Sequence, residues 1–166
     1  MHSLRADPAL PLIPAQPDKM DHKIEPAPAP EPWALLASAI VDEAQQLAEL
    51  RTALRAGLAS RGVNDDSTDD LTLVLSELVG NGLQHGQVPL HLVATMRTGP
   101  AQGRHIVRIQ VTDGGRRTMP VEVVDALGEG GRGLGIVAAL SDDWGLEYLP
   151  GRGTVAWAER VVHSSR

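Results

Sequence analysis

VPLHLVATMRTGPAQGRHIVRIQVTDGG, residues 88–115, contains two runs rich in β-branched side chains, 88–96 and 105–113, on either side of the turn-forming segment RTGPAQGR. Each run partly alternates apolar and polar residues, and the connection is too short for a helical crossover, so the pair predicts an antiparallel hairpin. Further on, DWGLEYLP (143–150) and GTVAWAERVV (153–162) repeat the pattern across Gly151-Arg152 and predict a second hairpin. Strands joined by short turns argue against a doubly wound parallel sheet. The predicted fold class is α+β: a two-layer α/β sandwich with a mixed, mainly antiparallel sheet and about three helices on one face.

The helices are read from periodicity. Between Asp42 and Ala59 apolar residues recur at Ala44, Leu47, Leu50, Leu54 and Leu58, the three-and-four spacing of a helix that Gly62 then stops. The polar string NDDSTDD (64–70) opens a second helix, with Asp66 or Ser67 as the predicted cap and Leu71, Leu75, Leu78 and Leu83 as its core stripe. WALLASAI (33–40) reads as a first strand or a buried lead-in. PVEVVDAL (120–127) reads as a short helix or a mobile segment, and RGLGIVAALSD (132–142) as a third helix.

Composition bounds the function. Of 166 residues, 42% are apolar and 2% aromatic, with no Cys and no Phe, which fits one domain plus a tail. Without cysteine, disulfides, thiolate metal sites and cysteine nucleophiles are excluded. Fifteen Lys and Arg against 21 Asp and Glu give a net charge of -6, which argues against direct nucleic-acid binding through bulk positive charge. The longest apolar stretch, Trp33 to Val41, is shorter than the roughly 20 residues a membrane helix needs. Pro11 and Pro14 also break LPLIP, the one stretch resembling a signal-peptide core, so a cytoplasmic protein away from membranes is expected. Eight of the 12 prolines and none of the 17 glycines lie in residues 1–32, predicted to be a disordered, polyproline-like tail. The domain is placed at 33–162, followed by a short tail at 163–166.

Three features carry chemistry. On the second helix, Glu77, Asn81 and His85 at i, i+4 and i+8 share a face opposite the leucine stripe. An acid one turn from an amide can deprotonate a hydroxyl while the amide oxygen holds a hard cation. Glycines at 80 and 82, flanking Asn81, predict close approach by a ligand or neighbouring backbone. Next, the strand ending at Asp113 runs into Gly114-Gly115, so a flat ligand can lie on bare backbone while the carboxylate accepts from an exocyclic amine. Last, GEGGRGLG (128–135) opens into a helix whose amides make an anion site, with Arg132 either pairing with a terminal phosphate or simply solvated. Gly128, Gly130 and Gly133 also satisfy G-x-G-x-x-G, but without the parallel strand-helix-strand context of a dinucleotide enzyme. A P-loop is excluded because no lysine follows: both lysines, Lys19 and Lys23, lie in the tail. The Asp66–Glu77 run has an EF-hand's length, but Leu71 stands where the turn needs glycine. His85, His91, His105 and His163 are too scattered to predict a metal cluster.

In order, ELVGNGLQHG, the strand-end DGG, GGRGLGIVAALSDDWG and the final GTVAWAE closely resemble the histidine-kinase-like ATPase domain, the Bergerat fold. Within that superfamily the sequence is most similar to stand-alone bacterial anti-sigma-factor serine/threonine kinases. The resemblance covers about residues 33–162 and implies ATP and Mg2+ as cofactors. It implies Glu77 as general base and Asn81 as the magnesium ligand. Asp113 would bind the adenine amine above Gly115, supported by Thr154, and residues 116–129 would form a lid. Gly131, Gly133 and Leu134 would cradle phosphates, with Arg132 beside them. It further implies a sigma factor and an antagonist, or anti-anti-sigma, protein as partners, and the family's tendency to form homodimers. A non-catalytic, ATP-binding partner-recognition module is the alternative. The family more often carries Thr or Ala at the position of Gly80 and Ala at that of Gly82, and the lid here is short. A sensor histidine kinase would need a helical hairpin bearing its phosphoacceptor histidine, which the proline-rich leader does not supply.

Overall fold

Strand β2 (Leu90–Thr98) pairs antiparallel with β3 (Arg104–Thr112), in a register running from His91 opposite Thr112 to Thr98 opposite His105. The expected hairpin therefore forms. The computed structural model describes residues 32–99, 101, 103–115, 132–150 and 153–164, all within the unit Glu31–Arg166. Expectations placed on residues 1–31, on the lid and on Gly128, Gly130 and Gly131 lie outside the described residues, as does the side chain of Arg132.

WALLASAI resolves to a strand, β1 (Ala34–Val41), antiparallel to β2 with a register irregularity between Leu35 and Ala37. The helix expected from Asp42 begins instead as a 3-10 turn at Ala44–Gln46 and becomes α1 at Leu47–Ala59. The cause is local. The Gln46 side-chain oxygen reaches back to accept the amides of Asp42 (2.8 Å) and Glu43 (3.0 Å), closing a capping box before α1 starts. Gly62 stops the chain as expected: its φ of 71° is a conformation glycine reaches without steric penalty.

Helix α2 (Asp65–His85) is capped by Asn64, not by Asp66 or Ser67. Asn64 is extended, and its side-chain oxygen accepts the Ser67 amide at 2.8 Å, leaving Asp65 and Asp66 inside the first turn, where their charge suits the helix dipole. Leu71, Leu75 and Leu78 are buried as expected, while Leu83 is partly buried against the core. Each fully buried leucine contributes roughly 1.5–3 kcal/mol relative to exposure, so this stripe seats the helix on the sheet.

Helix α3 spans Arg132–Leu140, two residues shorter than expected. Beyond Leu140 the chain turns onto the sheet. The Asp142 amide donates to the Glu159 carbonyl (2.9 Å), and its carboxylate accepts the Val161 amide (2.7 Å). Strands β4 (Asp143–Leu149) and β5 (Gly153–His163) form the second hairpin.

The sheet order is β1-β2-β3-β5-β4, and every pairing among the described strands is antiparallel. The helices gather over one face, where Leu54, Leu75, Leu78, Leu92, Val107 and Ile109 meet in an aliphatic core. This is the expected two-layer α+β sandwich. On the opposite face Leu35, Ile40 and Val93 are exposed, Arg97 lies over Trp33 and Arg108 bridges Trp157 and Glu159.

Candidate functional site

Two clusters form along the C-terminal half of α2, one at each end. At the first, Glu77 and Asn81 stand one turn apart, and the second residue of α3, Gly133, packs against both. A Cβ added to Gly133 would lie 2.6 Å from Glu77 Oε2 and 3.3 Å from Asn81 Oδ1 and Nδ2. Only a residue without a side chain brings the start of α3 this close. Glu77 and Asn81 are half-buried, and the Asn81 Nδ2 atom is buried without a hydrogen-bond partner. An unpaired buried donor costs roughly 1–3 kcal/mol, so an acceptor placed here would be bound with that much less to offset. The start of α3 lies beside both side chains, and the N-terminal end of a helix carries positive potential.

The flanking glycines behave differently from each other. A Cβ at Gly82 would meet Leu90 Cδ1 at 2.8 Å and Val111 Cγ1 at 3.4 Å, so α2 settles there onto the side chains of β2 and β3. Among the described residues Gly80 has no atom within 4 Å of such a Cβ, so the expected approach of neighbouring backbone is not found there. His85 is exposed in the last turn of α2.

The second cluster surrounds Asp113, which is 7% exposed. Its Oδ1 accepts the amides of Thr154 (2.9 Å) and Gly115 (3.2 Å), while its own amide donates to the Thr154 carbonyl (3.0 Å). Thr154 thus joins Asp113 through its backbone. Among the described residues Asp113 makes no ion pair; backbone dipoles stabilise its buried carboxylate. Such a group can accept from a ligand N–H without competing for a cation.

Two glycines near Asp113 were not singled out in the sequence. A Cβ at Gly86 would sit 3.0 Å from Asp113 Cβ and 3.2 Å from Oδ2. Gly153, with φ of 99°, lies so close that a Cβ would overlap Asp113 Oδ1 and its carbonyl oxygen. The one available signal was the glycine directly preceding Thr154. Gln87 was also missed: its carbonyl accepts the Gly114 amide at 2.8 Å, and its side chain covers Gly115. Leu134 is buried in the first turn of α3.

Gly86, which caps the C-terminus of α2, lies nine positions beyond Glu77, a rise of roughly 13 Å. One end offers a carboxylate beside bare glycine backbone, suited to a flat ring with an amine. The other offers an acid, an amide and a helix N-terminus, suited to phosphates. That layout, over an antiparallel sheet, defines a nucleotide-binding two-layer sandwich. A family model for the histidine kinase-like ATPase domain matches residues 40–159, well over half the chain, and this protein belongs to that family. No curated protein matches the sequence. Membership brings an ATP-binding, ATPase- or kinase-like regulatory function. Among the described residues no helix is long and apolar enough to cross a membrane.

Proposed function

We propose that this protein is an anti-sigma-factor serine/threonine kinase, transferring the γ-phosphate of ATP to a Ser or Thr of an antagonist protein. The observation that carries this reading is the gathering of Glu77 Oε2 and the unpaired Asn81 amide against Gly133. Asp113 accepts from the adenine amine, and Gly115 admits the ring. Asn81 Nδ2 donates to a phosphate oxygen, and Asn81 Oδ1 is the oxygen that would hold Mg2+. When bound, Mg2+ offsets negative charge on the phosphates. The orphaned amide and the side-chain-free approach of Gly133 fit both groups. Gly133 and Leu134, at the start of α3, are the proposed phosphate-binding residues, and the reading extends that role to Gly131 and Arg132 next to them in sequence.

Glu77 takes the proton from the acceptor hydroxyl as its oxygen bonds to the γ-phosphorus, and the bond to the bridging oxygen breaks so that ADP leaves with the electron pair. A sigma factor and an anti-anti-sigma protein, the antagonist of this one, are the partners, and a homodimer in the cytoplasm is the form proposed to meet them. In this reading the G-x-G-x-x-G string has no dinucleotide role, because the described strands contain no parallel pair.

The test is phosphotransfer from labelled ATP to the candidate antagonist. Glu77→Gln should reduce transfer by about 10²–10⁴-fold with ATP affinity unchanged. Transfer at the original rate in that variant would remove Glu77 as the base. ATP binding without any phosphoprotein, and partner capture indifferent to Glu77→Gln, would favour the non-catalytic module instead.

A further inference from the structure

The exposed side chain of Gln87 lies on the glycine that frames the base end of the site. A Cβ on Gly115 would meet Gln87 Cδ and Oε1 at 3.1 Å and Cγ at 3.2 Å. The carboxamide therefore covers the side of Gly115 that a side chain would otherwise fill. The amide of the same glycine donates to Asp113 Oδ1, and Gly86, the residue before Gln87, borders Asp113 Oδ2. The Gly114 amide bound to the Gln87 carbonyl at 2.8 Å fixes the two segments against each other. A carboxylate and a carboxamide are thus held beside one stretch of glycine backbone.

Their hydrogen-bonding capacities differ. An ionised Asp only accepts, whereas Gln offers two donors and an acceptor. Adenine presents an amine donor flanked by ring-nitrogen acceptors, while guanine presents an oxygen acceptor where adenine has the amine. A carboxylate facing the amine and an amide N–H facing an adjacent ring nitrogen match adenine. Against guanine the carboxylate faces another acceptor.

We propose that Gln87 is a base-specificity residue, its Nε2 donating to a ring nitrogen of adenine next to the amine that Asp113 accepts. This rests on the reading of the site as one for ATP. It adds a second contact to the base, from the segment that leaves α2, beyond the groups on β3, α3 and β5.

The test is calorimetric titration of the full chain with ATP, 1-deaza-ATP, 7-deaza-ATP and GTP, with Gln87→Met as the principal variant. Methionine keeps an unbranched stem over Gly115 and removes the donor; Gln87→Glu, of the same length and also without the donor, is the second variant. In the unaltered protein one of the two deaza analogues should bind about three- to tenfold more weakly than ATP. In both variants ATP should weaken by a similar factor and that analogue should bind no worse than ATP; where the analogue is 1-deaza-ATP, the preference for ATP over GTP should also narrow, because guanine N1 carries a hydrogen whereas N7 is an acceptor in both bases. Thermal melting of each variant shows that it is folded. If the unaltered protein binds ATP and the analogues equally, or if the analogue's deficit persists in Gln87→Met, Gln87 does not read the base. If the folded, unaltered protein binds no nucleotide, the ATP reading fails first, and this inference with it.

Discussion

Gly153 holds the base end of the site together. Its φ of 99° is closed to other residues without strain, and a side chain there would overlap the carboxylate that Thr154 and Gly115 hold in place. Gly153→Ala should lower stability by at least about 1–2 kcal/mol, the penalty for an L-residue in left-handed backbone, and should weaken ATP binding as Asp113 is displaced. Urea denaturation paired with nucleotide titration checks both effects. Gly80→Ala should act the other way, because a Cβ there meets nothing and alanine favours the helix by about 0.5–1 kcal/mol. An unchanged or lower urea midpoint would mean that Gly80 has a neighbour among the residues not described. Glu77, Asn81 and Asp113 were legible in the sequence because their chemistry goes with local signals, a helical repeat and a strand end. Gly153 and Gln87 were not: the first acts on a residue 40 positions away, and the second across a turn whose path no local pattern specifies.

Among the elements, α2 carries the most of the site, and its start shows where sequence reading stops. NDDSTDD contains several residues able to cap, and all satisfy the same local preference. The structure selects Asn64 because the preceding residue, Val63, is pinned in a bridge to Ser164, which leaves Asn64 extended with its oxygen over the Ser67 amide. Asn64→Ala should therefore cost about 1 kcal/mol, within the 0.5–2 kcal/mol range of such caps, whereas Asp66→Ala should cost less. Chemical denaturation of the two variants distinguishes the caps directly. The stripe of α2 was legible without tertiary information, since Leu71, Leu75 and Leu78 recur at the helical period and are all buried.

For the whole molecule, both hairpins could be read because each forms between neighbouring segments. The order of strands could not. Placing β5 between β3 and β4 depends on pairs such as Ile109 with Ala158, whose separation in sequence leaves no periodic trace. That placement brings Thr154 to Asp113, so the site is a product of the sheet order. Arg160 secures the same arrangement from the other end of β5. Its guanidinium donates to the Leu140 carbonyl at the end of α3 and pairs with Asp70 of α2 at 2.6 Å. Arg160→Met keeps the apolar stem and should still lose about 1–3 kcal/mol, because charge-assisted bonds to two helices disappear together. An unaltered urea midpoint would show that the bridge adds nothing beyond solvation.

The most direct measurement is calorimetric titration with ATP of the unaltered protein and of Asp113→Asn. Asparagine keeps an oxygen for the Thr154 and Gly115 amides but puts an NH2 where the second carboxylate oxygen would meet the adenine amine. Saturable binding that weakens by about tenfold or more in the variant is the predicted result. No binding by the folded, unaltered protein, or equal affinity in Asp113→Asn, would contradict the assignment of this site to ATP.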